Sequence, residues 1–519
     1  MNKNTLRPCH SREGGNPVSV QSPEPSRFFP RPRHPRTSGL CPQNDSVGRL
    51  TASSLATFIS ALALAGCAVG PDYVRPDLPV QQSFANTALD GFSAQAVERE
   101  FWRGFGDPSL DQLINEAHTA NHDVRIVAAN LREVRALRRQ VGYDRYPTVT
   151  AGAGFAKSLA SENQLPGFTR GERETDAYTA GFDAVWELDF FGRVRRGIEA
   201  ASADVAASEA GLNNAQVSVA AEVAREYFEL RGAQRQLEVA QQNRDNQQQT
   251  YKLTVVRLDA GRGTELDRAR AGAQLHATTA TIPAFEAAVA RSIYRLGVLT
   301  GQQPTALVDR LAVVQPLPPL PVLTAVATPE ALLRRRPDIR QAERSLAGQT
   351  ARIGVATADL FPRVTFTGNL GFNAGSAGDL GKGDSLSYSV GPSLSWAFLN
   401  LGRVRAGIAA SEARTEAALA FYEQTVLRAL EETEGALITF NRAQVRNTSL
   451  RSAAEQSATA ARLARARFDA GATDFLTVLD AERRLLDDQD RLVQGETTAA
   501  TSLIAVYKAL GGGWQSARN

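Results

Sequence analysis

Histidine pairs, glycine-rich loops and nucleophile–base arrangements are the features of this 519-residue chain that could carry out chemistry. His118 and His122 lie four residues apart on one face of a predicted helix, but the glutamate of an H-E-x-x-H zinc motif is missing between them. Ala151–Ser158 is rich in glycine, yet it lacks the spacing of a phosphate-binding loop and lies on a predicted strand. No Ser/His/Asp or Cys/His arrangement can be recognised. We therefore predict no catalytic residue, no metal site and no cofactor, and we expect that the protein is not an enzyme.

Cys67 is the residue whose surroundings do predict a chemical role. It ends an apolar run of about 17 residues that starts at Leu50, which is short for a membrane-spanning helix and typical of a signal-peptide core. Leu-Ala-Gly-Cys at the end of this run resembles the bacterial lipobox, whose cysteine is acylated after cleavage just before it. The resemblance implies a diacylglycerol on the Cys67 sulfur and an acyl chain such as palmitate on its amine. Ala68, rather than Asp, follows the cysteine, which resembles the signal that sorts lipoproteins to the outer membrane. A signal cleavage site with an incidental cysteine is the alternative.

The segment before this run does not fit a signal peptide. Residues 1–48 are rich in Pro and Arg, whereas a targeting segment has its charged region immediately before the apolar core. We hypothesise that synthesis starts near Val47 and that residues 1–46 are translated upstream DNA. Residues 1–66 as a whole are predicted to be absent from the mature protein.

The net charge of +3 comes from the same segment. Residues 1–50 hold eight Lys/Arg and three Asp/Glu, a net of +5, so the remainder carries 3 − 5 = −2. Because the chain after residue 50 is not basic, its charge does not support nucleic-acid binding.

The rest of the chain contains the same pattern twice, about 210 to 215 residues apart. Each copy has an Asp-Val/Ile-Arg run, an aromatic residue followed by proline, a segment of alternating polarity, a Gly-Arg-Val-Arg run and an Asp-Ala-Gly turn. The four fixed runs begin at Asp123, Tyr146, Gly192 and Asp259 in the first copy and at Asp338, Phe361, Gly402 and Asp469 in the second. This places the first repeat at 109–301 and the second at 329–510, with a Pro-rich linker at 302–328, an extended segment at 67–108 and a tail at 511–519.

The alternating segments predict two strands in each repeat, within 147–190 and 362–399. Each is about 10–14 residues, which is enough to cross a bilayer as a tilted strand. Four strands cannot close a barrel, and an open apolar sheet cannot sit in lipid with unpaired edges. If these strands span a membrane, several subunits must share one barrel, and three copies would give 12 strands.

Two runs without proline, 193–259 and 403–469, predict helices that each reach roughly 100 Å. Return helices are predicted at 264–300 and 473–510. The lengths balance if 264–300 is stacked with the helix at 329–360, and 473–510 with a single helix that runs from about 110 to 145. Asp107 and Pro108 mark the start of that helix.

Several runs resemble the outer-membrane efflux proteins of the TolC/OprM type, particularly the NodT-like lipoprotein branch. They lie at 105–108, 187–194, 332–343 and 507–513. The resemblance implies an α+β membrane protein: a homotrimer with a 12-stranded transmembrane β-barrel, four strands from each chain, continued by a long periplasmic α-helical barrel. An equatorial girdle around its middle would use 86–108, 302–328 and the C-terminus.

The same resemblance implies roles for individual residues. The turns between long and return helices are expected to form the periplasmic end of the tube, where acidic residues line a constriction and the tips dock an adaptor. The residues implied are Asp267, Asp480 and Arg270 for the gate, Gly261, Gly471, Arg257 and Arg467 for the adaptor-docking tips, and Trp186 and Trp396 for an aromatic girdle. A ring of carboxylates at a pore mouth favours cations.

By this resemblance, the protein is a passive exit duct in the outer membrane, with a large periplasmic part. Its expected partners are two further copies, outer-membrane lipid, a periplasmic adaptor (membrane fusion) protein and an inner-membrane RND transporter, and its cargo is drugs or other small toxic solutes. The outer-membrane component of a type I protein secretion system is the alternative within the same architecture. A periplasmic coiled-coil scaffold held by lipid alone is the alternative from another class.

Overall fold

A computed structural model describes residues 68–85, 100–321, 326 and 328–514 of the chain. The predicted signal peptide and Cys67 lie outside the described residues, as do parts of the extended segment and of the Pro-rich linker. Within the described ranges, none of the helices combines the length and apolar character needed to span a bilayer.

The two repeats contain the same elements in the same order. In the first repeat they are α1 (Pro108–Ala120), α2 (His122–Gly142), β1 (Thr148–Leu159), β2 (Glu174–Leu188), α3 (Arg193–Asp259) and α4 (Glu265–Leu299). In the second they are α5 (Pro329–Arg335), α6 (Pro337–Ala358), β3 (Arg363–Ala374), β4 (Leu386–Ser395), α7 (Leu401–Asp469) and α8 (Phe475–Ala509). Single helical turns lie at Phe101–Phe105, Tyr143–Arg145, Arg170–Arg173, Val308–Leu311, Ala377–Asp379, Gly383–Ser385 and Phe398–Asn400.

The long helices α3 and α7 follow the prediction closely. They contain 67 and 69 residues, which corresponds to roughly 100 Å each. Such lengths are sustained because the runs are rich in alanine and lack proline. The hydrophobic core lies near the middle of these helices, where Phe105 packs on Phe228 and Phe101 stacks on Tyr507 with ring centroids 4.9 Å apart.

The prediction of one helix from about 110 to 145 is wrong, because the structure has a break at Asn121. The Asn121 side chain accepts hydrogen bonds from the backbone N–H groups of Asp123 and Val124 and so caps a new helix. The second repeat breaks at the equivalent position, Arg336, where Pro337 begins α6. The prediction of a continuous helix at 329–360 is therefore corrected in the same way.

The predicted stacking of the short helices is also wrong. The Asn121 side chain donates a hydrogen bond to the carbonyl of Leu299, the last residue of α4, at 2.9 Å. Arg336 likewise donates to the carbonyl of Ala509, the last residue of α8, at 2.9 Å. The end of α4 thus meets the start of α2, and the end of α8 meets the start of α6. Each repeat stacks its own short helices, because the exposed carbonyls of one helix end are satisfied by the side chain at the next helix start.

The four strands form one antiparallel sheet in the order β1-β2-β3-β4. The join between the repeats is the β2–β3 pair, which runs from Tyr178 opposite Ala374 to Leu188 opposite Val364. The connection between β1 and β2 spans residues 160–173, since β1 continues to Leu159 and β2 begins at Glu174.

Candidate functional site

The strand register sorts the sheet into an apolar and a polar face. Apart from the outermost rows Lys157–Asp176 and Leu159–Glu174, which carry charges, the rows of side chains on one face are apolar in all the strands that they cross, as in Ala151–Phe182–Leu370–Tyr388. The large members of this row are exposed, with Phe182 at 59% and Tyr388 at 75%. Other rows on this face are Ala153–Ala180–Phe372–Leu386, Val149–Ala184–Gly368–Val390, Trp186–Phe366–Pro392 and Leu188–Val364–Leu394.

The opposite face of the sheet is mostly polar or without side chains, with Val185 as an exposed exception. Its rows are Thr150–Asp183–Asn369–Ser389, Glu187–Thr365–Ser393 and Gly152–Gly181–Gly371–Ser387. A sheet with exposed apolar side chains on one face and polar ones on the other can separate lipid from water. The alternation read from the sequence is confirmed in all four strands.

Trp186 and Trp396 occupy equivalent positions near the ends of β2 and β4. The Trp186 indole N–H donates to the carbonyl of Arg145 at 2.9 Å, and that of Trp396 donates to the carbonyl of Leu360 at 3.0 Å. Each acceptor lies just before the aromatic–proline pair that starts the first strand of the same repeat. The two tryptophans therefore tie the end of each strand pair to its beginning, and they place an amphipathic ring at one edge of the apolar face.

Glycines form both turns between a long helix and its return helix. Gly261 (φ +70°) and Gly471 (φ +74°) adopt the left-handed conformation that glycine accepts without strain. The N–H groups of Arg262 and Ala472 donate to the carbonyls of Arg257 and Arg467, at 2.8 Å in both turns. We call these two turns, with the first turn of each return helix, tip 1 and tip 2.

The two tips cap their return helices with the same residue types in exchanged positions. In tip 1, Thr264 is the N-cap and Asp267 lies three residues on; in tip 2, Asp474 is the N-cap and Thr477 lies three residues on. Asp267 accepts hydrogen bonds from the Thr264 hydroxyl (2.6 Å) and N–H (3.2 Å), which completes a capping box. Asp267 is thus held by its own helix.

Arg270 and Asp480 line the same groove. It lies between the return helices α4 and α8, with α3 as its floor, and has a volume of about 1140 Å³. Arg270 and Asp480 are also equivalent positions in the two repeats, so the duplication carries opposite charges here. Of the three gate candidates, the structure brings these two to one groove and keeps Asp267 at the cap of tip 1.

The side chains that connect the two tips were not predicted from the sequence. The Arg257 guanidinium lies 4.1 Å from the centre of the Phe468 ring, which in turn packs on Phe475. This cation–π contact joins the end of α3 to the end of α7. No local sequence pattern predicts it, because the two residues are more than 200 positions apart.

A second unpredicted connection lies a few turns above the tips. Arg465 donates hydrogen bonds to Thr250 (2.6 Å) and to Glu482 (3.1 Å), which links α3, α7 and α8. Burial raises the pKa of the Glu482 carboxyl, and the Arg465 charge lowers it in opposition, with burial the stronger. Oε2 of Glu482 is buried without a hydrogen-bond partner. Glu482 is therefore an ionisable group inside the contact between the hairpins.

A sheet with one apolar and one polar face, joined directly to helices of roughly 100 Å, is the architecture of a channel-type membrane protein. The outer membrane efflux protein family matches residues 113–302 and 328–512, which correspond closely to the two halves of the internal repeat. The chain belongs to this family, which consists of efflux channels rather than enzymes.

Individual relatives agree with this assignment. The chain is similar to outer membrane protein OprJ of Pseudomonas aeruginosa (31% identity, 91% of this chain and 98% of OprJ) and to the cation efflux system protein CusC of Escherichia coli (31% identity, 89% and 99%). Among solved structures it is similar to the outer-membrane channel OprN, with 43% identity, a TM-score of 0.81, and 87% of this chain and all of that chain covered. The protein is therefore an outer-membrane efflux channel protein.

Proposed function

We propose that three copies of this chain close a 12-stranded barrel in the outer membrane and continue it with a helical barrel into the periplasm. The assembly is the passive exit duct of a tripartite system whose other members are a periplasmic adaptor and an inner-membrane RND transporter. Its cargo is drugs or other small toxic solutes, and the acylated Cys67 anchors each subunit.

The observation that carries this proposal is the two-faced sheet. Across the described residues, β1 and β4 each pair on one side only, so two rows of backbone hydrogen-bonding groups lie at the sheet edges. In lipid such edges cost several kcal/mol for each unsatisfied group, as an order of magnitude. Pairing β4 of one copy with β1 of the next satisfies both edges and places the polar rows around the lumen.

The tips support the assignment of the periplasmic end. Since the strands and the tips lie at opposite ends of α3 and α7, a barrel in the membrane puts the tips roughly 100 Å away. There Asp480 and Arg270 provide charges that can line the mouth, and Gly261, Gly471, Arg257 and Arg467 form the surface offered to an adaptor. Trp186 and Trp396 then lie at one lipid–water interface, as an aromatic girdle.

The test uses the purified full-length protein in detergent and in planar bilayers. We expect oligomers of three subunits that resist dissociation in detergent and conduct ions. Monomers that become water-soluble when the acyl chains are removed would instead support the lipid-anchored scaffold.

Deleting the gene separates efflux from protein secretion. Efflux predicts increased susceptibility to a panel of dyes, detergents and antibiotics, restored by the wild-type gene. Unchanged susceptibility together with the loss of one secreted protein would replace the proposal with type I secretion.

A further inference from the structure

The first described residues of the chain, 68–85, run from the sheet towards the core, and we call them the strap. Ala68 lies against Gly192, between β2 and α3, and the N–H of Val69 donates to the carbonyl of Phe191 at 3.2 Å. Further along, the Tyr73 hydroxyl donates to Glu343 of α6 at 2.7 Å, and the N–H of Ala85 donates to Glu434 of α7 at 2.7 Å. The strap thus contacts both repeats.

Glycines make the slot that holds the start of the strap. A Cβ added at Gly192 would lie 2.5 Å from the Cα of Ala68, and one added at Gly70 would lie 2.5 Å from the Cα of Gly354. A Cβ added at Gly354 would lie 2.9 Å from the carbonyl oxygen of Val69. Side chains at these positions would fill the space that the strap backbone occupies.

Arg196 closes the slot from α3. Its guanidinium donates to the carbonyl of Val69 (3.2 Å), the carbonyl of Gly70 (3.3 Å) and the carboxylate of Asp72 (2.7 Å). The Arg196 side chain is only 5% exposed, whereas that of Asp72 is 86% exposed. Because an ion pair with a largely exposed partner contributes little, the hydrogen bonds to the two backbone carbonyls hold the strap more strongly than the contact with Asp72 does.

The second repeat has the glycine but lacks the clamp. Gly402 is equivalent to Gly192, and a Cβ added there meets nothing within 4 Å. Ala406 stands at the position equivalent to Arg196. Because a structural requirement of the sheet-to-helix junction would apply to both repeats, the arginine is explained by the strap, which is present once in each chain.

The slot lies at the level where the apolar rows end. The last apolar row is Leu188–Val364–Leu394, and Gly192 follows Leu188 by four residues. Cys67 directly precedes Ala68 in the sequence. Seating Ala68 on Gly192 therefore holds the sequence neighbour of Cys67 at the boundary of the apolar face.

We propose that Arg196 is the positioning residue for the lipid anchor: by holding the Val69 and Gly70 carbonyls, it seats the strap and fixes the acylated Cys67 at the edge of the sheet. This rests on the acylation of Cys67 in the proposed function. Arg196 acts through the strap.

The test measures strap mobility in the full-length protein in outer membranes. Val74, which is 80% exposed, is changed to cysteine and carries a nitroxide label; Cys67 is blocked by its acyl group in the same molecule. We expect an immobilised spectrum in the otherwise wild-type protein. Arg196→Ala removes all three hydrogen bonds to the strap and should increase the mobile component by roughly tenfold or more, since the loss of even one charge-assisted hydrogen bond is enough for a change of that size. Asp72→Ala should give a smaller increase.

Matched controls come from the second repeat. Arg405→Ala, in the Gly-Arg-Val-Arg run of α7, should leave the label immobilised. Gly354→Ala should mobilise it, whereas Gly407→Ala, a helical glycine with open space around its Cα, should not. These glycine variants keep the proposal testable if Arg196→Ala does not fold.

An immobilised label in folded Arg196→Ala protein, or equal mobilisation by Arg405→Ala, would overturn the clamp. Intact-protein mass spectrometry separates this outcome from a failure of the anchor. If Cys67 carries no acyl group, its free thiol would also take the label, so the Val74 label is then placed in a Cys67→Ser background. Mobilisation by Arg196→Ala in that background would mean that the lipid anchor is wrong and the clamp remains.

Discussion

At the scale of single residues, the two candidate gate carboxylates are held differently. Asp267 belongs to the capping box of α4, whereas Asp480 lies with Arg270 in the groove between the return helices. Removing the Asp267 side chain therefore changes two things at once, the charge at tip 1 and the stability of a helix start. Asp480 offers a charge without a capping role.

The first prediction separates these effects by single-channel conductance in planar bilayers. Asp480→Ala, and more strongly Asp480→Ala with Asp267→Ala, should raise the conductance of the closed state. Asp267→Asn removes the charge but keeps an acceptor for the Thr264 N–H, so it should change conductance less than Asp267→Ala. The alanine variant also breaks the capping box, at a cost of about 1 kcal/mol, and should increase fraying of the tip about fivefold. An unchanged closed-state conductance in the double variant would contradict the gate assignment.

The second prediction concerns pH and the buried carboxyl of Glu482. Its pKa is raised in the folded protein, so the folded state binds a proton more tightly than the unfolded state does. The stability from this group is fully present below its unfolded pKa, about 4.3, and is lost as pH rises through the higher folded pKa. Glu482→Gln removes the ionisable group, so the stability of the variant relative to wild type should increase as pH rises through that window.

Hydrogen exchange of the α7–α8 hairpin, corrected for the intrinsic pH dependence of exchange, measures this difference. Glu455→Gln, an exposed position on α7, is the control and should show a smaller pH-dependent difference from wild type. A protection difference between Glu482→Gln and wild type that is the same at both ends of the pH range would show that Glu482 does not titrate in this way.

At the scale of elements, the join between the repeats depends on two facing glycines. A Cβ added at Gly371 of β3 would lie 2.7 Å from the carbonyl oxygen of Ala180 and 2.9 Å from the Cα of Gly181. These are backbone atoms of β2, which cannot move aside as a flexible side chain can. The β2–β3 pair therefore approaches more closely here than a side chain permits.

The third prediction is that Gly371→Ala weakens this join by about 1–3 kcal/mol, because the strands must separate to admit the methyl group. The measurement is the thermal midpoint at which the oligomer dissociates in detergent. Gly368→Ala is the control in the same strand, since its Cβ would make only ordinary contacts at 3.7 Å and 3.8 Å. Equal midpoints for the two variants would mean that the close approach is not needed.

How much could be predicted from the sequence differs between elements. The bounds of α3 follow from a proline-free run between two glycine turns, and the faces of the strands follow from their alternation. The breaks at Asn121 and Arg336 had local signals, an Asn N-cap and Pro337, that the long-helix interpretation overlooked. The stacking of helices had none, because it depends on which distant helix end each of these side chains reaches.

The same distinction applies to the candidate site. The glycines of both tips could be predicted, since their backbone requirement is local. The contacts of Arg257 with Phe468 and of Arg465 with Thr250 join residues more than 200 positions apart. Only the packing of one repeat against the other brings them together, and the sequence pattern of either repeat alone contains no trace of it.

At the scale of the whole molecule, the sheet determines how copies must meet. Within one chain the polar rows alternate with apolar rows across all four strands, and β1 and β4 are the outer strands. If β4 of one copy pairs with β1 of the next, the alternation must continue across the joint, since a shift by one residue would turn polar side chains towards lipid. The parity of the joint, meaning which residues of β1 and β4 lie on the same face, is therefore fixed. The number of residues by which the two strands are offset is set by the tilt of the barrel.

The fourth prediction tests this parity with cysteine pairs in the full-length protein in outer membranes. One cysteine replaces Thr150 on the polar face of β1, and a second is placed in turn at each position of β4 from Leu386 to Ser395. We expect disulfide-linked species of two and three subunits for one or two positions that share the parity of Ser387 and Ser389, because only those side chains lie on the same face as Thr150. Cysteine in place of Thr179, a polar-face residue of the inner strand β2, is the control and should give no linked species with the same β4 series. Linking at positions that share the face of Tyr388 and Val390 would mean that the faces are inverted at the joint. No linking at any position would mean that β1 and β4 do not meet between copies and that the sheet is not part of a shared barrel.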